Sequence, residues 1–308
     1  MAYYSRTILQ YAAVLAVALT LNFLLPRLAP GQPIDFLLPE DVLAEMSDAE
    51  MARVMEEFGL DQPIWSQFTD YVAGVFTGDL GTSVSFGRPV WDVVLQRLPW
   101  SLQLMGWALA ISAFLGSLLG VLAARWRGGR FDLGTLVAVV FLGSAPPFWV
   151  GMLLITFFSA YLGWLPSFGA YPLRLVMPVS ALALVQTANI FLTARSAMQI
   201  ALGQDYVTYA RAKGASEGRV FRAHAFRNAL LPIYTNVMIG VGNLVGGALV
   251  IETVFSYPGL GSLIISGVDS RDYNLLQGVF LLATFGVVLT NFLADLAYPM
   301  LDPRTRRP

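Results

Sequence analysis

Long apolar runs alternate with polar segments along the chain, and six of the runs are predicted to form helices that cross a membrane. A helix needs about 20 apolar residues to cross roughly 30 Å of hydrocarbon. The predicted spans are residues 8–25, 100–124, 133–162, 175–194, 233–254 and 275–300. The sequence lacks the short segments of alternating apolar and polar residues that are typical of membrane barrels. The pattern therefore predicts an all-α polytopic membrane protein with six transmembrane helices.

Details within the apolar runs refine this prediction. The first run is longer than the apolar core of a cleaved signal peptide, so we expect a retained span. Pro146 and Pro147 lie near the middle of the third run and Pro178 lies in the fourth. A proline inside a helix removes a hydrogen-bond donor and clashes with the preceding turn, which predicts breaks at both places. Residues 263–272 are apolar but too few to span, and they predict a re-entrant or interfacial helix.

One long polar segment, residues 30–99, separates the first two spans. Residues 31–99 carry twelve of the twenty carboxylates in the chain and only three cations. Such an acidic segment has no signal for retention in the cytoplasm, so we predict a helical extracytoplasmic insert. Its periodicity predicts an amphipathic helix over residues 39–58, ended by Gly59, and a second helix over residues 63–76, stopped by Gly78.

The uneven distribution of charge predicts the orientation of the chain. The sequence is 56% hydrophobic and 13% charged, and it contains no cysteine for a disulfide or a thiolate site. Thirteen of its nineteen cations lie before the first span, after the second span, in residues 195–232 and in the C-terminal tail. Cytoplasmic loops are rich in Lys and Arg, so these segments and both termini are predicted to be cytoplasmic. The predicted divisions are residues 1–29 with the first span, the insert 30–99, and the transmembrane core 100–308 including loop 195–232.

The most basic stretch of the chain lies between the fourth and fifth spans. Residues 205–232 read DYVTYARAKGASEGRVFRAHAFRNALLP and carry five cations and one histidine against two carboxylates. We predict a short helix over residues 206–213, a turn at Gly214, and a second helix that begins at Ser216 and ends at Pro232. Glycine takes the left-handed conformation that ends a helix at little cost. A serine side chain can accept the free N–H groups of a helix start.

This stretch resembles the cytoplasmic coupling loop of permease subunits in ABC importers. It is most similar to the dipeptide/oligopeptide and nickel branch, B-type inner-membrane component, through DYVTYARAKG at residues 205–214 and HAFRNALLP at residues 224–232. Where the general importer loop has Glu-Ala-Ala, this sequence has Thr208, Tyr209 and Ala210, a departure that also resembles the peptide branch. The likeness continues in residues 59–99, 247–261 and 270–278 and in the tail.

The resemblance implies a type I ABC importer permease architecture in the prokaryotic cytoplasmic (inner) membrane. The implied partners are a homologous second permease subunit, two cytoplasmic ATPase subunits, an extracytoplasmic solute-binding protein and the lipid bilayer, with no nucleic acid. ATP and magnesium are expected on the ATPases, and no cofactor or metal on this chain. The implied ATPase-coupling residues are Asp205, Tyr206, Tyr209, Ala210, Arg211, Ala212, Lys213, Gly214, Ala215 and Glu217. A candidate outer gate consists of Glu252, Pro258, Gly259 and Gly261.

Polar residues inside the predicted spans have two open interpretations, a hydrophilic translocation path or hydrogen bonds between helices. They are Gln186, Asn189, Asn236, Asn243, Asn291 and Asp295. The sequence lacks the Gly-x-x-x-x-Gly-Lys-Ser/Thr phosphate loop, and its one histidine, His224, lacks the clustered ligands of a zinc or catalytic site. No enzymatic activity is therefore predicted. The predicted function is a permease subunit of a peptide importer. The alternatives are an ATP-independent channel or secondary transporter, and an importer of nickel chelates or glutathione.

Overall fold

The computed structural model describes residues 2–28, 42, 45–57, 61–167 and 172–301. Within them the chain forms two compact units. The first draws on Met1–Ser101 and Tyr257–Phe292, and the second on Leu102–Ser256 and Leu293–Pro308. Apart from one short hairpin in the first unit, the regular structure of the described residues is helical, as the apolar pattern predicted.

The elements follow one another as a series of long and short helices. In chain order they are α1 (Ala2–Leu28), α2 (Asp48–Glu57), α3 (Ile64–Thr77), the antiparallel strands β1 (Thr82–Ser83) and β2 (Arg88–Pro89), α4 (Val90–Arg125), α5 (Arg130–Gly143), α6 (Pro147–Leu154) with a π-helical extension (Ile155–Tyr161), a 3₁₀ turn (Leu173–Leu175), α7 (Val176–Leu202), α8 (Asp205–Ala212), α9 (Glu217–Arg219) with a π-helical extension (Val220–Phe226), α10 (Arg227–Val254), α11 (Leu260–Asp269) and α12 (Tyr273–Leu301).

Four helices in the described residues are long and apolar enough to cross a membrane. They are Arg6–Leu24, Val90–Arg125, Leu173–Leu202 and Tyr273–Leu296. A fifth span is added if α5 and the helix from Pro147 to Tyr161 count as one broken span. The predicted fifth span forms α10, but the side chains of residues 243–247 lie outside the described residues, so the total of six stays a prediction.

The third predicted span is broken where its two prolines lie, as expected. Pro147 begins α6, and the axes of the helices before and after the break differ by 97°. The first turn of a helix tolerates proline because its N–H has no acceptor within the helix. The same rule explains why the break predicted at Pro178 is wrong. Pro178 lies in the first turn of α7, which continues to Leu202.

The first unit fastens the end of the polar insert to its neighbouring helices. The side-chain amide of Asn22 donates to the Tyr71 hydroxyl and to the Gln277 carbonyl, each at 2.9 Å. Asp272 is fully buried and accepts from the Ser83 hydroxyl at 2.5 Å and from the backbone N–H groups of Ser85 and Leu275 at 3.0 Å. Asp272 therefore caps α12 and also holds the β1–β2 turn.

The second unit is organised around α7, which packs against α4, α5, α6 and α10. Small residues allow the close approach of these helices. A Cβ at Gly120 of α4 would come within 2.6 Å of the Phe191 carbonyl and 2.8 Å of the Ala194 Cβ. Nearer the loop, Met198 of α7 packs in one buried cluster with Ala225, Ala229 and α4 residues.

Several predicted boundaries move in the structure. The second span was predicted from residue 100, but α4 begins at Val90, because Val90 and Val94 are buried against Leu263 and Leu275. The fifth span was predicted to follow Pro232, yet α10 runs through that proline while Ala229 and Ile233 on either side of it are buried. In the insert, α3 ends at a left-handed Gly78 as predicted, whereas Gly59 lies outside the described residues.

Candidate functional site

The basic loop forms a helix–turn–helix, as the sequence predicted. The short helix α8 is closed by two hydrogen bonds, from Gly214 N–H to the Arg211 carbonyl at 2.9 Å and from Ala215 N–H to the Ala210 carbonyl at 3.1 Å. Gly214 has a φ of +81°, in the left-handed region that favours glycine. This pair of bonds around a left-handed residue is a Schellman motif, which ends one helix and redirects the chain.

The second helix of the loop begins where it was predicted, but its cap is different. Ser216 has an extended backbone at this position, and its hydroxyl makes no capping bond in the part of the chain that the structure describes. Its backbone carbonyl accepts instead from the N–H groups of Arg219 and Val220, each at 2.9 Å. The prediction of a serine side-chain cap is therefore wrong. The Ser216 carbonyl, rather than its hydroxyl, begins the helix.

A small apolar core holds the two helices of the loop together. Val207, Ala210 and Val220 are buried in it, and Ala215 packs against them. Residues three apart on a helix lie on the same face, which explains why Val207 and Ala210 point inward together. Ala210 and Ala215 were predicted as coupling residues, and the structure places both on the inner side of the loop. They can maintain its shape from there.

The outer face of the loop combines aromatic rings with charges. Tyr206 and Tyr209 expose 38% and 63% of their surface, and the Lys213 ammonium lies 4.5 Å from the centroid of the Tyr209 ring. Arg211 forms two hydrogen bonds with Glu217, at 2.8 and 3.2 Å. The remaining predicted coupling residues on this exposed face are Asp205, Ala212 and Gly214. Tyrosine and arginine are enriched at protein–protein interfaces, so this face is suited to bind a partner protein.

The ion pair across the turn also sets the charge state of Glu217. Hydrogen bonds from the Arg211 guanidinium lower the pKa of the Glu217 carboxyl below its usual range, with a smaller contribution from its positive charge. The carboxylate and the guanidinium therefore stay charged around neutral pH. Because both side chains are exposed, the pair fixes the geometry of the turn more than it stabilises the fold.

The loop is joined to the apolar helices behind it through its second helix. Ala225 is buried among Met198 and Ala201 of α7. The Arg125 guanidinium at the end of α4 lies 5.4 Å from the centroid of the Phe221 ring. The loop therefore packs directly against α7 and α4.

An ion pair between α5 and α7 was not predicted from the sequence. Asp132 of α5 is fully buried, and Arg195 of α7 donates to its two oxygens at 2.5 and 2.8 Å. The fourth span was predicted to end at residue 194, but α7 continues for two further turns to Leu202, because the half-buried guanidinium of Arg195 is paired with Asp132. The sequence signal was a single carboxylate beside the cluster Arg125, Arg127 and Arg130. The partner 63 residues away could not be identified from that signal.

The predicted path residues differ in burial among the residues that the structure describes. Gln186 is buried against Gly240, where an added Cβ would overlap its side-chain amide. Asn236 of the same helix pair is half-buried, whereas Asn189 is exposed. Asn291 and Asp295 are half-buried on α12, and the side chain of Asn243 lies outside the described residues. Gln186 lies in close contact with α10. Such a contact is compatible with a translocation path and with hydrogen bonds between helices, so both interpretations of these polar residues stay open.

The candidate gate residues lie before and after a strained turn in the sequence. Glu252 is 1% exposed near the end of α10, and Ser256 has a φ of +46°, which is unusual for a residue with a side chain. In the first unit Gly259 and Gly261 are buried and Pro258 is half-buried. The N–H of Leu260 donates to the Ser101 hydroxyl at 2.8 Å, so the start of α11 is fixed to α4. Strained backbone of this kind is often found at functional turns.

Comparison with solved structures identifies the fold. The permease-containing chain of an inward-facing MetNI methionine ABC transporter, in its native crystal form, aligns with a TM-score of 0.58 and 19% identity, covering 68% of this chain and 96% of that one. An amino acid ABC transporter crystallised with histidines gives a TM-score of 0.56 at 18% identity, covering 68% of this chain and 94% of that one. At such low identity the likeness establishes the fold alone.

Sequence comparison extends the likeness to nearly the whole chain. The di/tripeptide transport system permease protein DppB of Pseudomonas aeruginosa is 37% identical, with 93% of each chain covered. The dipeptide transport system permease protein DppB of Escherichia coli K12 is 35% identical over the same shares. Residues 116–307 match the family described as binding-protein-dependent transport system inner membrane component. The chain therefore belongs to the family of binding-protein-dependent transport system inner membrane components, the inner-membrane permeases of ABC importers.

Proposed function

We propose that this permease subunit imports di- or oligopeptides and forms half of the translocation pathway. The relatives named above are di/tripeptide and dipeptide permeases, and they match this chain over almost its full length. Importer permeases of this family work with a second permease, ATPase subunits and a solute-binding protein. The proposed assembly contains one homologous permease, two cytoplasmic ATPases and an extracytoplasmic binding protein.

The exposed face of α8 carries the proposal that this chain couples transport to ATP hydrolysis. It presents Tyr206, Tyr209 and Lys213 outward, beside a turn at Gly214 that a Schellman motif fixes. Behind that face a buried core connects α8 to the helix that packs on α7. We expect an ATPase subunit to bind this face in a cleft. Closure of the ATPase pair would then move the loop as a rigid body and shift the bundle between inward-open and outward-open states.

In the proposed complex the ATPase subunits bind the nucleotide, and the permease has a defined orientation in the membrane. Because the sequence lacks a phosphate loop, ATP and magnesium bind the ATPase subunits. The loop and both termini face the cytoplasm, where the cations concentrate, and the acidic insert faces outward. In that position the insert can meet the binding protein.

The experiment is reconstitution of the complete complex in proteoliposomes with its cognate binding protein. We expect uptake of a labelled dipeptide that requires ATP inside, the binding protein outside and a hydrolysis-competent ATPase. Mass spectrometry of the ligand released from the purified binding protein identifies the cargo independently. Uptake without ATP, or a binding protein that carries only nickel chelate or glutathione while dipeptide uptake is absent, would overturn the proposed function. Saturable ATP binding by the isolated permease would contradict its assignment to the ATPases.

A further inference from the structure

Asp132 and Arg195 form an ion pair at the junction between the loop-bearing helix and the broken span. The Nε and Nη2 atoms of Arg195 donate to the two carboxylate oxygens at 2.5 and 2.8 Å. The N–H of Gly128 donates to the same carboxylate at 2.9 Å. Three donors therefore fix Asp132, which lies in the first turn of α5 and is fully buried. A bidentate guanidinium–carboxylate pair constrains orientation as well as distance.

Contacts on the Arg195 side lead to the coupling loop. The neighbouring residues Ala194 and Met198 are fully buried with Ala225 of the loop's second helix and Ala229 at the start of α10. Ala225 lies in the π-helical segment that begins at Val220, and Val220 shares a buried core with Val207 of α8. Movement of α8 therefore reaches Arg195 through packed side chains.

Contacts on the Asp132 side lead to the break in the third span. Val139 of α5 is buried with Ala188 and Phe191 of α7. At Gly143, the last residue of α5, an added Cβ would overlap the Ala188 Cβ. The chain then turns by 97° into α6, whose Gly151 approaches Ile251 of α10 and Phe255, the residue that follows α10. The ion pair therefore fixes the first turn of α5. At the other end of the broken span, α6 packs beside the turn that follows α10.

Stability alone is a weak reason for such a pair. Removing the Asp132 carboxylate from water costs several kcal/mol, and pairing with Arg195, whose side chain keeps 21% of its surface exposed, does little more than offset that cost. A bidentate pair differs from apolar packing because it resists sliding and rotation of the two helices. Two helices need this resistance if the displacement of one is to move the other by the same amount.

We propose that Asp132 and Arg195 are positioning residues that transmit the displacement of α8 to the broken span α5–α6. The inference rests on the proposed coupling role of α8. It predicts that breaking the pair lowers the number of substrate molecules transported per ATP hydrolysed, while hydrolysis itself continues. Coupling energies between linked sites correspond to about 5- to 150-fold effects, and we expect a loss of this ratio within that range.

The test measures uptake and ATP hydrolysis in the same proteoliposomes of the whole complex. The variants are Asp132→Asn and Arg195→Gln, with Arg130→Gln, an exposed arginine two residues from Asp132, as the matched control. We expect the two pair variants to lose transport per ATP and the control to keep it. An unchanged ratio in Asp132→Asn would overturn the inference.

A reversible crosslink separates positioning from folding. The chain has no cysteine, so Asp132→Cys/Arg195→Cys can be bridged by a short bis-methanethiosulfonate, which forms a reducible disulfide with each thiol and releases methanesulfinate, in a complex whose other subunits lack accessible cysteines. We expect the ratio to rise towards the unmodified value after bridging, confirmed by mass, and to fall again after reduction. If bridging restores only the amount of assembled complex and leaves the ratio low, the pair is purely structural and the inference is wrong. If Gly214→Asp uncouples the complex but these variants do not, the inference fails and the coupling role of α8 stands. If neither changes the ratio, the coupling role fails.

Discussion

Replacing Gly214 by aspartate tests the coupling loop most directly. Gly214 has a φ of +81°, and a Cβ built there meets no heavy atom of the described residues within 4 Å. The substitution therefore creates no clash within the chain, and its internal cost is the backbone term of about 1 kcal/mol for a side chain in the left-handed region. That cost is small beside the packing of the membrane helices, so insertion and abundance should stay near normal.

The damage is expected at the interface with the ATPase. A side chain and a negative charge would stand beside Lys213 on the face that is proposed to bind, and closely packed interfaces lose affinity when a central contact is displaced. Gly214→Asp should therefore reduce transport, and the ATPases should copurify poorly or hydrolyse ATP without transport. Gly214→Asn has nearly the same shape without the charge, and asparagine tolerates positive φ well. The difference between these two variants isolates the charge.

A matched control exists in the polar insert. Gly78 has a φ of +79° and also has no heavy atom of the described residues within 4 Å of an added Cβ. Gly78→Asp carries the same backbone cost. Because Gly78 is not part of the face that is proposed to bind the ATPase, this variant should leave the association with the ATPases unchanged. Uptake, ATP hydrolysis and pull-down are measured for all variants at matched expression. Full transport by Gly214→Asp, with its ATPases bound and coupled, would refute the coupling role of this loop.

Three further predictions concern orientation, packing and pH. Cysteine at Ser47, exposed in the insert, should react with an impermeant maleimide in intact cells, and cysteine at Ser216 should not; the opposite pattern would reverse the proposed orientation. Gly120→Ala should lower the free energy of unfolding by about 1–3 kcal/mol, because its Cβ would press on α7, whereas Gly106→Ala on the same helix should not; thermal unfolding in detergent compares them. Because the pKa of Glu217 is lowered, its pair with Arg211 contributes above the unfolded glutamate pKa of about 4.3 and is lost as the pH falls through the lower folded value. Hydrogen-exchange protection of the turn should therefore be flat from neutral pH to that range and fall below it, and Glu217→Gln should remove this pH dependence.

Local signals in the sequence predicted the elements of this fold well. Runs of apolar residues identified the long helices, and the paired prolines identified the break between α5 and α6. Gly214 and Gly78 were identified as helix ends because positive φ is a local property of one residue. The α8 helix and its turn followed from the same local chemistry, whereas Tyr206 and Tyr209 were named only through the family resemblance.

Predictions that depended on distant partners were less accurate. Proline and arginine have local preferences that favour helix ends, yet α10 continues through Pro232 and α7 continues past Arg195. In each case the deciding contact comes from another helix: the buried cluster around Ala229 and Ile233, and the carboxylate of Asp132. The Ser216 cap failed for a different reason, because a backbone carbonyl can begin a helix without the side chain. Pairings of this kind are set by the tertiary fold and are not encoded in spacing along the chain.

The buried carboxylate of Asp272 also has a consequence for how the chain is made. Its hydroxyl partner, Ser83, lies 189 residues earlier in the sequence. At a synthesis rate of about 5–20 residues per second, Ser83 leaves the ribosome on the order of 10–40 s before Asp272. Until then the β1–β2 turn lacks its anchor, and the apolar start of α4 lacks the Leu263 and Leu275 that cover it. A nascent chain stopped before α11 therefore lacks the contacts that bury this surface in the folded chain, and translation must pass Leu275 before all of them can form.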